Sequence, residues 1–358
     1  MKLPKVEFAP LHVPLERRLQ TLAAAAWFFV SAFGGPLSWC VTILTLLFGR
    51  QWLRIIFVCY LLFAYYDQDT RLNGGRRKSL YLRFRNFIWW HYFCNYFPIK
   101  VVKTVDLDPT RNYLFCSFPH GVLATGVTGA FATNGINCAK IFPGLDFRLL
   151  TLDQHFQTPL FREYVLSFGV CSCNAESINY LLSTKPTEND GPTEDPVQGR
   201  AVILIVGGAA EALKSKPHTY NILVKKRKGF VRIALKNGAP LVPVFSFGET
   251  DLYDQFHNPE GSLLRKCQDF IKRVTGIAPV IPIGRGFFQY SFGLVPNRKP
   301  IHVVVGSPLE IPKIENPTNE DVDKYHTKFT EKLIELFEIH KSKYIKDYEN
   351  VFLILDDK

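Results

Sequence analysis

Two long apolar runs near the N-terminus dominate the pattern of hydrophobic positions. Residues 22–49 carry no charged side chain, and a second apolar run covers residues 55–66. A helix needs about 20 apolar residues to cross the core of a bilayer, so we predict a membrane hairpin or two transmembrane helices over residues 22–66. Residues 34–36, Gly-Gly-Pro, interrupt the first run and are a candidate turn. A buried core helix is the alternative interpretation.

Basic residues flank this region on both sides. Because lysine and arginine are enriched in cytoplasmic flanks, two basic flanks favour a hairpin or an even number of crossings. We therefore expect residues 1–21 and 101–358 to lie in the cytosol. Between them, residues 67–100 end in a stretch, 85–100, whose Trp and Tyr density is typical of a membrane interface, so we expect it to lie against the headgroups. The flanking basic residues are Lys2, Lys5, Arg17, Arg18, Arg71, Arg76, Arg77 and Lys78.

From about residue 101 the pattern changes to short apolar runs separated by helical stretches. Continuous apolar strands indicate a sheet that is buried on both faces, so we predict an α/β domain over residues 101–358, with a mixed sheet flanked by helices. The polar, Pro/Gly-rich segment 183–199 is predicted to be a surface loop. The predicted strands are 112–118, 201–208, 239–248 and 301–311, and the predicted helices are 229–238 and 321–344.

Composition narrows the classes of partner. The chain has 358 residues and a formal net charge of +11, and 47% of its residues are hydrophobic. Such a basic and apolar chain indicates an anionic membrane surface or a phosphorylated substrate. It contains no motif that reads DNA or RNA, so we expect no nucleic-acid partner. The eight cysteines lack the paired spacing of a zinc site, and no glycan acceptor occurs, as is typical of a cytosolic domain.

The stretch CSFPHGVLATG, residues 116–126, places one histidine, His120, directly after a predicted strand. Pro119 fixes the approach of the chain, and Gly121 lets a ligand come near the backbone. Because its ordinary pKa of about 6.5 allows a histidine to accept a proton at neutral pH, His120 is a candidate general base. The alternative is a structural histidine in the core, which is the more frequent role of a lone histidine among apolar residues.

Glu211 is the candidate partner of that base. It lies in VGGAAEAL, residues 206–213, shortly after a predicted strand and beside Gly207 and Gly208. Neighbouring strands of an α/β sheet bring their carboxyl ends together at functional sites, so we expect Glu211 to orient the His120 imidazole. The open alternative is that Glu211 only complements the dipole of a helix that begins there.

A basic cluster lies at the start of the predicted helix 229–238. Its guanidinium and ammonium groups are suited to bind the phosphates of a ligand. A solvated or membrane-facing basic surface is the alternative, since most runs of charge have that role. The candidate phosphate ligands are Arg227, Lys228 and Arg232.

Four motifs in this order resemble the diacylglycerol acyltransferase-2 family, which includes monoacylglycerol and wax-alcohol acyltransferases. They are FPHG at 118–121, VGGAAEAL at 206–213, RKGFVRIALKNGAPLVPVFSFGE at 227–249 and GRGFFQYSFGLVP at 284–296. The N-terminal stretch VEFAPLHVPLERRLQTL extends the resemblance over nearly the whole chain and looks most like a monoacylglycerol acyltransferase. The usual form of the first motif is His-Pro-His-Gly, and this chain has Phe118 at its first position.

The resemblance implies an acyl-CoA-dependent acyltransferase of triacylglycerol synthesis with a glycerolipid-acyltransferase-like fold and a membrane hairpin. It implies location in the endoplasmic reticulum membrane, contact with lipid droplets, and His120 as the catalytic base. Acyl-CoA is then a substrate, and no metal or bound cofactor is expected. Backbone amides near Gly121, Gly207 and Gly208 are candidates to hold the oxyanion. Phe118 puts in doubt any role that requires two imidazoles, and a homo-oligomer is left open.

Three alternatives remain at this point. The acceptor is monoacylglycerol, diacylglycerol or a long-chain alcohol, because each offers a hydroxyl beside apolar chains. A covalent acyl relay through Cys116 is a second mechanism, although cysteines in apolar strands are mostly inert. A lipid-binding protein that has lost activity is the alternative from another class, and Phe118 is the residue that suggests it.

Overall fold

A mixed sheet lies at the centre of the α/β domain. The structure is a computed structural model that describes residues 6–10, 12–73, 75, 78–186 and 197–356. Its strands are β1 (Lys100–Lys103), β2 (Tyr113–Phe118), β3 (Leu145–Thr151), β4 (Cys171–Ser172), β5 (Gly199–Ile205), β6 (Tyr220–Ile222), β7 (Leu241–Phe247), β8 (Asp254–Gln255), β9 (Pro282–Ile283), β10 (His302–Val305) and β11 (Leu353–Leu355).

Among the residues described, seven strands form this sheet in the order β1–β10–β7–β2–β5–β3–β4. Neighbouring strands are parallel, except that β10 and β7 are antiparallel. Strand β2 is central, and its Ser117 is in register with Ile205 of β5 and Val244 of β7. The carboxyl ends of β2, β3, β5 and β7 therefore lie at one edge of the sheet, where α/β folds build their sites.

Helices flank the sheet, so the predicted α/β architecture is confirmed. They are α1 (Leu15–Phe48), α2 (Gln51–Tyr66), α3 (Lys78–Arg85), α4 (Trp89–Tyr96), α5 (Thr125–Val127), α6 (Cys138–Ile141), α7 (Asp153–Gln157), α8 (Phe161–Ser167), α9 (Ala175–Ser183), α10 (Gly208–Ala212), α11 (Gly229–Asn237), α12 (Leu263–Thr275) and α13 (Asn319–Tyr344). A π-helical turn, Thr128–Ala132, follows α5, and short 3-10 turns cover Gln68–Arg71, Glu249–Leu252 and Tyr348–Asn350.

The alternation of side chains along β2 separates two hydrophobic cores. Tyr113 and Phe115 belong to the core that includes α4 and α8, whereas Leu114, Cys116 and Phe118 belong to the core that includes α11 and α13. Successive side chains of a strand point to opposite faces, so the sheet separates these two sets. This alternation decides which residues of β2 are near the candidate site.

The predicted strands 112–118, 201–208 and 239–248 are confirmed as β2, β5 and β7, with shifted ends. The glycines that end the second run begin α10 instead. The predicted strand 301–311 was too long, since only its first half pairs as β10, and of the rest only Leu309 makes an isolated bridge.

Both predicted helices of the domain are confirmed, as α11 and α13. Helix α13 begins two residues earlier than the pattern predicts because Thr318 and Asp321 form a capping box. The predicted loop 183–199 lies largely outside the described residues, and its first residue ends α9 while its last begins β5.

At the N-terminus, α1 is the one helix in the described part of the chain that is long and apolar enough to cross a membrane. Its 34 residues span about 51 Å, and the 16 residues of α2 span about 24 Å. The turn expected at residues 34–36 is wrong, because α1 continues through Pro36 and the chain leaves the helix at Gly49. Gly34 instead permits close packing, since a Cβ there would lie 2.7 Å from the ring of Phe161.

The N-terminal helices are attached to the α/β domain by specific contacts. The ring of Phe28 in α1 lies 5.3 Å from that of Tyr253, and the Leu160 amide donates to the Tyr60 hydroxyl of α2 over 2.7 Å. Just after α2, Asp67 pairs with Arg162 over 2.9 Å. These contacts place α1 beside the site described next.

The aromatic stretch 85–100 packs inward. Trp90, Phe93 and Tyr96 of α4 are buried, and the ring of Phe93 lies 5.5 Å from that of Trp27 in α1. These aromatic rings stabilise the junction of α1 with the domain, because buried aromatic surface is a large source of packing energy. These rings form the inward face of the segment, whereas Phe87 and Ile88 just before them are exposed, and the interfacial position of the segment stays a prediction.

Candidate active site

His120 lies just past the carboxyl end of the central strand β2 and lines a cavity of about 260 Å³. The loop that carries it leaves the strand through a cis peptide bond between Phe118 and Pro119. Gly121 follows with a φ of +60°, a left-handed conformation that favours glycine, and a Cβ there would lie 2.6 Å from the Glu249 side chain. The sequence Pro-His-Gly therefore presents the imidazole at the edge of the sheet.

The environment of His120 fixes the proton on one ring nitrogen. Its Nδ1 lies 3.1 Å from the carbonyl oxygen of Gly121. A carbonyl oxygen can only accept a hydrogen bond, so Nδ1 carries the proton of the neutral ring and Nε2 keeps its lone pair. Burial lowers the pKa of His120, and the carbonyls of Gly121 and of His120 itself oppose this by less. The imidazole is therefore neutral at pH 7.

Glu211 is buried beside the His120 loop, but it contacts the backbone and not the imidazole. Its Oε1 accepts from the His120 amide over 2.5 Å, and its Oε2 accepts from the Leu223 amide over 3.1 Å. The imidazole was expected to be oriented by Glu211, and the backbone carbonyl of Gly121 has that position instead. Burial raises the pKa of Glu211 to about 7, against the two amide hydrogen bonds and the charge of Arg227.

Gly207 makes this position of Glu211 attainable. A Cβ on Gly207 would lie 1.7 Å from Glu211 Oε2, so any side chain there would displace the carboxylate. The next residue, Gly208, has a φ of +59°, and it lines the cavity together with His120. The glycine pair thus lets the carboxylate fold back over the start of α10 and leaves backbone exposed to the cavity.

A second buried carboxylate, Glu249, holds the other end of the same loop. Its Oε1 accepts from the Thr125 amide over 2.8 Å, and its Oε2 accepts from the Gly126 amide over 2.7 Å. Burial raises its pKa to about 7, as for Glu211. Sequence reasoning missed Glu249. The available signal was its position two residues after β7, at the carboxyl end of a strand that lies beside β2.

Phe118 and Cys116 point away from the cavity. Both belong to the core on the opposite face of the sheet, where the ring of Phe118 lies 6.5 Å from that of Phe329 in α13. Replacing a histidine by Phe118 therefore removes no group from the cavity wall. Burial raises the pKa of the Cys116 thiol well above its ordinary value, so the thiolate needed for a covalent relay is disfavoured.

The three candidate phosphate ligands have different surroundings. Lys228 pairs with Asp323 over 2.6 Å, and Arg232 donates to the Asn319 side chain over 2.6 Å, so both attach α11 to the start of α13. Arg227 is exposed, and its charge acts on Glu211. None of the three lines the cavity of His120.

The remaining wall of the cavity is mainly apolar and comes from several elements. Trp27 and Ser31 of α1 contribute to it, which places the long apolar helix at the site. Polar side chains in the wall include Thr151 and a second histidine, His155, that sequence reasoning did not single out. Further apolar lining residues include Leu149, Leu152, Phe161, Tyr164, Val165 and Leu204.

The chain is similar to known acyltransferases over most of its length. The family model for diacylglycerol acyltransferases matches residues 44–354. The chain is 42% identical over 340 residues to 2-acylglycerol O-acyltransferase 1 from Bos taurus, covering 95% of this chain and 96% of that protein. It is 43% identical over 337 residues to diacylglycerol O-acyltransferase 2 from Dictyostelium discoideum, covering 94% and 96%.

A third relative, diacylglycerol O-acyltransferase 2 from Homo sapiens, is 41% identical over 332 residues, covering 92% of this chain and 81% of that protein. All three matches extend over nearly the whole chain, so they include both the N-terminal helices and the α/β domain. The chain therefore belongs to the diacylglycerol acyltransferase family and is an acyltransferase.

Proposed function

We propose that the protein transfers a fatty acyl group from acyl-CoA to a hydroxyl of an acylglycerol, with neutral His120 as the general base. The observation that carries this proposal is the contact of His120 Nδ1 with the Gly121 carbonyl on a ring that lines an apolar cavity, because that contact leaves the lone pair on Nε2. A base must be unprotonated and within reach of the proton that it removes. The names of the relatives supply the class of acceptor.

The reaction needs one proton relay. Nε2 of His120 takes the proton of the acceptor hydroxyl as its oxygen attacks the thioester carbonyl of acyl-CoA. The tetrahedral intermediate then collapses, the carbon–sulfur bond breaks, and the coenzyme A thiolate takes the proton from the imidazolium. The ester and free coenzyme A leave, and His120 is neutral again. Backbone amides near Gly121, Gly207 or Gly208 are the groups we assign to the developing oxyanion.

The two buried carboxylates serve this step through the loop. Glu211 holds the amide of His120, and Glu249 holds the amides of Thr125 and Gly126. Both ends of the loop are thereby fixed relative to the sheet. A small displacement of a base from its productive position costs much of the rate, so we assign positioning roles to Glu211 and Glu249.

The acyl chains belong in the apolar part of the cavity. Its wall includes Trp27 of α1, a helix that exposes many large apolar side chains between Phe29 and Phe48. We propose that α1 lies in the endoplasmic reticulum membrane and that lipid substrates enter the cavity from the bilayer. Contact with lipid droplets belongs to the same proposal. Arg227, exposed and close enough to act on Glu211, is our candidate for the phosphates of coenzyme A.

The test uses the purified full chain in detergent micelles with one long-chain acyl-CoA. Separate reactions contain monoacylglycerol, diacylglycerol or a long-chain alcohol, and thin-layer chromatography follows the lipid while a thiol reagent follows coenzyme A. We expect an acylglycerol product and free thiol in equal amounts. Acylation of the alcohol alone would assign the protein to the wax-alcohol class. Binding of acyl-CoA without any acylated product would support the lipid-binding alternative.

A further inference from the structure

A second histidine, His155, lines the same cavity as His120 and has no part in the steps above. It lies in α7, a short helix just past the carboxyl end of β3. Its Nδ1 is 2.8 Å from the hydroxyl oxygen of Thr151, and its ring packs edge-on against Phe161 at a centroid distance of 5.6 Å. The ring is therefore held in one orientation from two sides.

The chemistry of this pair differs from that of His120. A hydroxyl both donates and accepts, so Thr151 fixes neither tautomer of the His155 ring. Burial lowers the pKa of His155 to about 4, which keeps the ring neutral at pH 7 and makes it a weaker base than an ordinary histidine. In the described part of the chain Nε2 of His155 has no hydrogen-bond partner, and it can donate or accept as the Thr151 hydroxyl rotates.

The neighbours of the pair in the cavity wall are apolar, among them Leu149, Leu152 and Phe161. A hydrocarbon chain forms no hydrogen bond with Thr151 or His155. A ligand that covers this pair without a hydrogen bond leaves a polar group desolvated and unsatisfied, which weakens binding. The wall therefore fits a ligand that is apolar over most of its length and carries a neutral hydroxyl in addition to the group that reacts.

We propose that Thr151 and His155 form a subsite for the second free hydroxyl of a monoacylglycerol, the hydroxyl that does not react. This inference rests on the proposed function and adds the class of acceptor to it. A long-chain alcohol and a diacylglycerol each have one hydroxyl, which the reaction at His120 uses. A monoacylglycerol has two, so it alone among these acceptors can offer one hydroxyl to His120 and another to the Thr151–His155 pair.

The test compares wild type with His155→Phe, which keeps an aromatic ring against Phe161, and with His155→Gln, which restores a polar end. We expect kcat/KM for monoacylglycerol to fall about 10- to 100-fold in His155→Phe, the effect of one unmet buried hydrogen bond. Most of this change is an increase in KM. The kcat/KM for a long-chain alcohol changes less than about threefold. Thr151→Val gives a smaller loss in the same direction, and His155→Gln recovers part of the activity.

An equal loss with both acceptors would assign His155 a structural role and overturn the subsite, as would unchanged kcat/KM for monoacylglycerol. Equilibrium binding of radiolabelled monoacylglycerol without acyl-CoA separates this inference from the proposed function. Binding that is about tenfold weaker in His155→Phe supports the subsite even where wild type transfers no acyl group. Equal binding by the two proteins contradicts it even where wild type is active.

Discussion

Replacing His120 with alanine is expected to lower kcat/KM for acyl transfer by about 100- to 10,000-fold, the usual contribution of a general base. The loss follows because the lone pair on Nε2, fixed by the Nδ1 hydrogen bond to Gly121, has no substitute in alanine. The measurement is release of coenzyme A thiol by purified protein at saturating acyl-CoA. The lost ring contributes part of the cavity wall, so the KM for the acceptor is measured as well.

His257→Ala is the matched control, because His257 is exposed and does not line the cavity. It should have wild-type activity. Thermal unfolding in the same detergent establishes that both variants are folded. A folded His120→Ala protein with more than about a tenth of wild-type activity would show that another group removes the proton, since a general base supplies at least about 100-fold.

Replacing Glu211 with alanine is expected to affect both stability and activity. Two buried amides, those of His120 and Leu223, lose their acceptor, at a cost of about 1–3 kcal/mol each in the free energy of unfolding. The His120 loop is then free to move, and a displacement of about 1 Å costs on the order of 100-fold in rate. We expect kcat to fall while the KM for acyl-CoA changes little.

Glu211→Gln keeps one carbonyl oxygen as an acceptor, so it should recover part of the kcat that the alanine variant loses. Glu335→Ala is the control, since this glutamate is exposed on α13. The variants are compared by thermal unfolding and by initial rates at equal amounts of folded protein. Wild-type kcat in a folded Glu211→Ala protein would rule out the positioning role. A change confined to the KM for acyl-CoA would point to substrate binding instead.

The strands that form the site could be predicted from the sequence because central strands of a doubly covered sheet are continuous apolar runs. For the same reason His120 and Glu211 could be placed after neighbouring strands. The position of the break between α1 and α2 could not be predicted, because Gly-Gly-Pro at residues 34–36 is typical of a turn and yet lies inside α1. Gly34 within this helix serves to pack Phe161 closely, a tertiary contact that the local pattern does not show.

The contacts within the site were less predictable than its location. Sequence patterns place a carboxylate near a histidine but do not say whether it binds the ring or the backbone, and Glu211 binds the backbone. Lys228 and Arg232 belong to a basic cluster in the sequence. Each nevertheless has a hydrogen-bond partner at the start of α13, 95 and 87 residues away along the chain. Such pairings depend on the tertiary arrangement of helices, which local patterns do not record.

The alternation of side chains along β2 answers the question that Phe118 raises at the first position of the motif. In the resemblance it replaces a histidine two positions before His120. On β2, its side chain points to the core formed with α13, and Phe329 is its aromatic neighbour there. The cavity contains a second imidazole, but it comes from His155 of α7. The loss of the first histidine therefore does not indicate a loss of catalysis.

The pH dependence of kcat/KM between pH 5 and 8 separates His120 from the carboxylates beside it. Burial lowers the pKa of His120 below its ordinary 6.5, whereas it raises those of Glu211 and Glu249 to about 7. If the neutral imidazole is the base, kcat/KM of a Glu211→Gln/Glu249→Gln protein, which has neither of these carboxylates to titrate, stays level from pH 8 to about 6.5 and falls about tenfold per unit below a midpoint under 6.5. A midpoint near 7 that occurs in wild type and is lost in this variant belongs to the positioning carboxylates, whereas a midpoint near 7 that persists in the variant would contradict His120 as the base.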